Sequence, residues 1–245
     1  MDDQKRIVFL VLVSFLVVIN QGILLSALSS FSGYKSGFSF SSAKTSLGEG
    51  KIVGSKLNDD GKTVSLVEYP TVTSNEKFSK TGDAKKDAIN LIVPKGTPFY
   101  ITEGEGAALV QGVSFDNPIG SLNVLSNIGR GRIKIDLTSD QETRFNKIVG
   151  SFTCDYCCGS PNYVTKIGQC GCSHAAAWKG VARYLIMYYG DKYTDEQITG
   201  ELTRWKGAWY PKGMVDNYLV YTGQLPAEAV KGQGGAVGIV KQFSA

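Results

Sequence analysis

Every cysteine in the chain, and its one histidine, lies in a single stretch, "CDYCCGSPNYVTKIGQCGCSH", from Cys154 to His174. The spacing is Cys154-x-x-Cys157-Cys158, a loop, then Cys170-x-Cys172-x-His174. Two close clusters joined by a loop of this length form a knuckle: each turn offers two soft ligands and the loop closes a tetrahedron around one ion. Gly159 and Gly171 permit the sharp bends that such turns need. The expected metal ligands are therefore Cys154, Cys157, Cys158, Cys170, Cys172 and His174. The best four-ligand set is Cys154, Cys157, Cys170 and Cys172, with Cys158 or His174 as substitutes. Using all six donors would instead imply a multinuclear thiolate cluster. Thiolates favour zinc or copper(I), and an iron–sulfur cluster is less suited to an exported chain exposed to oxidants.

Two other chemistries compete for the same sulfurs. Disulfides between the clusters would staple the loop and leave one thiol over, because the cysteine count is odd. Cys154-x-x-Cys157 also has the spacing of a thiol–disulfide oxidoreductase, but it lacks the strand-then-helix setting that activates such a thiol. Covalent haem attachment fails on spacing, and "HAAAW" lacks the glutamate and second histidine of a zinc protease. Asp191, Asp195, Glu196 and Glu201 lie around helix starts and read as capping carboxylates. Trp178, Trp205, Trp209 and Tyr210 have the helical spacing of core residues. The thiol oxidoreductase is the only enzyme class entertained, and the expectation leans away from an enzyme.

The elements that must position these residues follow from pattern. "IVFLVLVSFLVVI" and "ILLSAL" make residues Ile7 to Leu28 free of charge. At about 1.5 Å rise per residue this crosses a hydrocarbon core of about 30 Å. Lys5 and Arg6 precede it, which favours a cytoplasmic amino end and places the rest of the chain outside the cytoplasm. A cleaved signal peptide ending near "ALS", with secretion of the remainder, is the alternative. The expected organisation is an anchor or signal segment over 1–28 and a flexible Ser/Gly-rich tether over 29–60. A small mixed strand and helix part follows over 61–137, then a helical Cys-rich domain over 138–223 and a disordered tail over 224–245. The fold class is α+β. Basic residues number 26 against 22 acidic, but they are scattered and no RNA-binding aromatic motif appears, so no nucleic-acid partner is expected. The expected partners are a metal ion and the membrane.

Within these parts, "GKTVSLVEYP" reads as a strand, "AINLIVPKGTPFYI" as two extended runs around a turn, and "RIKIDL" as a strand. "SFDNPIGSLNVLSNI" reads as a helix capped by Ser114 or Asp116, with Ile119, Leu122, Leu125 and Ile128 as its stripe. Ser139 with Glu142 makes a capping box for the next helix. A helix from His174 to Tyr189 is expected, with Ser173 as its cap. Thr194 with Gln197 opens another that runs to Pro211, and "MVDNYLVYTG" makes a last short one.

The stretch "CDYCCG...CGCSHAAAWKGVARYLI...YTDEQITGELTRWKGAWYPK" resembles a carboxy-terminal domain of uncharacterised, membrane-anchored archaeal proteins. It is more distantly similar to bacterial exported proteins with a PCYCGC motif. The resemblance covers about Ser151 to Lys212 and carries over Cys154, Cys157, Cys158, Cys170 and Cys172. It implies an exported metal-binding module, with copper as one candidate ion for the bacterial group. The Pro-Cys-Tyr opening and downstream cysteines of that group are absent here.

Overall fold

The computed structural model describes residues 50–72, 80–156 and 164–227. The apolar segment Ile7 to Leu28, most of the expected tether and the tail beyond residue 227 lie outside these. No helix among the described residues is long and apolar enough to cross a membrane.

The architecture is α+β and mostly helical: seven α-helices and a two-stranded sheet among the described residues. Strands β1 (Lys51–Leu57) and β2 (Val64–Pro70) form an antiparallel hairpin, with Lys51 opposite Pro70 and Leu57 opposite Val64. Its turn is closed by Asp60, which accepts from the backbone of Lys62 and Thr63 at 2.8 and 2.9 Å. β1 begins inside the stretch expected to be tether, because Ile52 and Val53 are buried by later helices and not by local sequence. Helices α1 (Ala84–Ile92), α2 (Phe99–Thr102), α3 (Pro118–Gly129) and α4 (Ser139–Ser151) follow. The chain then enters the cysteine segment and continues as α5 (Ser173–Tyr189), α6 (Asp195–Trp209) and α7 (Pro211–Tyr221).

Three expectations are corrected here. "AINLIV" is the end of α1, which Asp83 starts by accepting from Lys85 and Lys86. "PFYI" leads into a single helical turn. "RIKIDL" keeps its alternation, since Ile135 is buried, but it pairs with no strand among the described residues; instead Arg183 donates to the Ile135 carbonyl at 3.2 Å. Helix starts are also displaced. Asn117 caps α3 ahead of Pro118, and Ile119 is 75% exposed, outside the apolar stripe. Thr138 and Gln141, not Ser139 and Glu142, form the box of α4, while Glu142 accepts from Arg183 at 2.6 Å. The Thr194–Gln197 box of α6 is present.

One hydrophobic core runs from Tyr100 on α2 to Trp205 on α6, with Trp178 and Trp205 fully buried. The boundary expected at 137/138 therefore does not separate two cores. A second cluster joins the hairpin to α1 and α7 through Ile52, Ile92, Met214 and Leu219. α5 is the central element, buried along most of its length. It crosses α3 at backbone contact: a Cβ at Gly180 would stand 2.0 Å from the Leu125 carbonyl oxygen, and one at Gly129 would stand 1.8 Å from that of Ala176. This crossing fixes the amino end of α5, where the cysteine segment ends.

Candidate metal centre

The cysteine segment enters from α4 as a short extended run. Cys154 donates its N–H to the Thr165 carbonyl at 2.7 Å, and Ile167 donates to that of Phe152 at 2.9 Å. Thr153 and Lys166 form the antiparallel bridge between them. This small ladder returns the chain beside Cys154 after the intervening loop. A turn of 3-10 helix over Ile167–Gln169 follows, and Cys170 closes it by donating to the Ile167 carbonyl at 3.2 Å. Lys179 on α5 holds the Cys170 carbonyl at 3.2 Å.

Cys172 is the N-cap of α5, in place of the expected Ser173. Its sulfur accepts from the Ala175 N–H at 3.3 Å, and its carbonyl accepts from Ala176 at 3.0 Å. A cysteine sulfur thus takes the place of the usual cap oxygen, at the end of a helix whose dipole favours negative charge. Arg130, just past α3, donates to Ser173 Oγ at 3.0 Å and ties this corner to the α3 end.

These elements bring three sulfurs together. The Sγ atoms of Cys154, Cys170 and Cys172 lie within 4.8 Å of one another, and Cys154 and Cys170 are buried while Cys172 is half-buried. Among the described residues no disulfide joins them. Tetrahedral thiolates at about 2.3 Å from zinc stand about 3.8 Å apart, so only small adjustments separate this arrangement from a ligand set. The group could hold a metal ion. Cys157 and Cys158 lie outside the described residues.

His174 falls outside the three-sulfur group. Its Nδ1 is 2.9 Å from the Tyr210 hydroxyl, and its ring packs on Tyr210, with Trp209 and Trp178 around it. Burial alone lowers its pKa from the usual imidazole value. The reason lies in the helix periodicity: His174 stands four residues before Trp178, on the same face of α5, and meets the aromatic residues at the end of α6.

Two polar groups of the interior escaped the sequence reading. Lys206 on α6 is fully buried, donating to Asp155 Oδ2 at 2.6 Å and to the Thr153 carbonyl at 2.9 Å. Glu201, grouped above with helix-start carboxylates, is also fully buried and accepts from the Tyr100 hydroxyl at 2.6 Å, which in turn accepts from Trp205 Nε1 at 2.9 Å. The available signal was periodicity: Glu201 falls between Ile198 and Trp205, and Lys206 four residues after Leu202, on the apolar side of α6. Of the other carboxylates, Asp195 bridges to Arg144 and Lys147 at 2.5 and 2.8 Å, while Asp191 and Glu196 are exposed. The tryptophans are core: only Trp209 is half-buried.

Fold and site define an α+β, mainly helical domain with a three-cysteine cluster at the start of its central helix. Compared with protein-family models, curated proteins and solved structures, the chain matches none.

Proposed function

We propose that this chain is a membrane-anchored, exported metal-binding protein. Cys154, Cys170 and Cys172, completed by Cys157 or Cys158, would hold a zinc or copper(I) ion. The observation that carries the reading is the convergence of three sulfurs from two separate backbone turns within 4.8 Å. Soft thiolates select these ions over hard cations, and zinc would call on the fourth thiolate to close a tetrahedron. The ion's first role is structural, because it would tie the Phe152–Cys154 ladder to the amino end of α5. The half-buried position of Cys172 leaves one side of the site approachable, which supports metal handling as its second role. The uncharged stretch Ile7 to Leu28, preceded by Lys5 and Arg6, supports anchorage with this domain outside the cytoplasm.

Metal analysis of the purified full chain, combined with thiol counting before and after chelation, tests the reading. Bound zinc or copper at one equivalent or more, with thiols released by the chelator, is the expected result. Metal-free protein with a single reactive thiol would overturn it in favour of a disulfide-stapled extracytoplasmic domain. A readily reducible Cys154–Cys157 bond would instead identify a thiol oxidoreductase.

A further inference from the structure

The Lys206–Asp155 pair poses a question that packing does not answer. An ammonium and a carboxylate, both buried, must each be stripped of water, and a methionine and a leucine would fill the same space without that penalty. Asp155 Oδ1 adds to it, being buried with no hydrogen-bond partner among the described residues. Stability alone therefore does not account for the pair.

What the pair does is fix the two neighbours of Cys154. Lys206 holds the carbonyl of Thr153 on one side and the carboxylate of Asp155 on the other. Its ammonium also sits 4.2 Å from the centre of the Phe152 ring and 5.8 Å from that of Trp178, so the run from Phe152 to Asp155 is wrapped around one cation. From the opposite side Thr165 holds the Cys154 N–H. Contacts within the protein thus hold the backbone on both sides of Cys154.

We infer that Lys206, paired with Asp155, is a positioning residue of the sulfur site, presetting Cys154 for the ion. The inference rests on the reading of Cys154, Cys170 and Cys172 as ligands. Its test is zinc affinity by competition, with cobalt(II) absorption as the spectroscopic check, on the full chain and three variants. Lys206→Met leaves a buried carboxylate unpaired; it is expected to lower the melting temperature and to weaken zinc binding about tenfold or more. Lys206→Met with Asp155→Leu removes both charges. It is expected to regain most of the thermal stability, yet to keep the weakened affinity and an altered cobalt spectrum. Asp155→Asn, which leaves the lysine and its bond to Thr153, is expected to fall between wild type and Lys206→Met in affinity. Zinc affinity that returns with stability in the double variant, or stays at the wild-type level in Asp155→Asn, would overturn the inference while leaving the metal site standing. A wild-type chain that binds neither zinc nor cobalt would overturn the site and the inference together.

Discussion

The crossing of α3 and α5 makes two identical substitutions behave oppositely. In Gly180→Ala the new Cβ would lie 2.0 Å from the Leu125 carbonyl oxygen, 2.9 Å from its carbon and 3.2 Å from the Gly129 nitrogen. All three are backbone atoms, so no side chain can turn aside, and the helices must separate by about 1.4 Å to reach ordinary contact. Overpacking of this kind costs about 3 kcal/mol. At about 2–4 °C per kcal/mol for a chain of this size, that is a fall of about 6–12 °C in melting temperature. Gly150 on α4 meets nothing within 4 Å and has no positive φ. There the better helix propensity of alanine should raise stability by about 0.5–1 kcal/mol, an increase of about 1–4 °C. Thermal unfolding followed by far-ultraviolet circular dichroism measures both. Equal shifts in the two variants, or an unchanged Gly180→Ala, would refute backbone contact as the basis of the crossing.

Chelation should lower the melting temperature. An ion present at a thousandfold its dissociation constant stabilises by about 4 kcal/mol, or about 8–16 °C here, and Cys170→Ser should abolish the response in a melt with and without chelator. Tyr100→Phe removes the bond to Glu201 and the acceptor of Trp205, and a loss of about 2–3 kcal/mol is expected in chemical denaturation. Burial pushes the Asp195 carboxyl up, but hydrogen bonds and charge from Lys147 and Arg144 outweigh it and hold it below the usual carboxylate range. The folded state then releases this proton more readily than the unfolded chain. The resulting stability is present above about pH 4 and is lost as pH falls through the lowered folded value. Asp195→Asn should therefore melt lower than wild type at pH 7, with the two converging in acid.

The long helices were legible because their apolar positions recur over several turns and their ends carry chemical marks: Thr194 with Gln197, and Gly190 after Tyr189. Short runs were not. "AINLIV" and "RIKIDL" are too brief for a period to declare itself; one finished a helix begun by polar residues, and the other was held by an arginine from α5. The sulfur-rich segment announced itself through residue type, and the approach of Cys170 and Cys172 to Cys154 across its loop followed from spacing. The assignment of His174 to the site overlooked the face it shares with Trp178, four residues on, which turns it toward Tyr210. Lys206 and Glu201 were hidden for another reason, since their partners, Asp155 and Tyr100, are brought to them only by the finished fold.

The bonds from Lys206 to Thr153 and Asp155 join positions 53 and 51 residues apart. A peptide cut to the cysteine-bearing stretch would contain every sulfur and the imidazole, as an autonomous zinc finger does, but not the lysine that holds the residues on either side of Cys154. The unit that holds Cys154 in place therefore reaches at least to Lys206 on α6, and its limit is drawn by a lysine deep in the interior and not by the last cysteine.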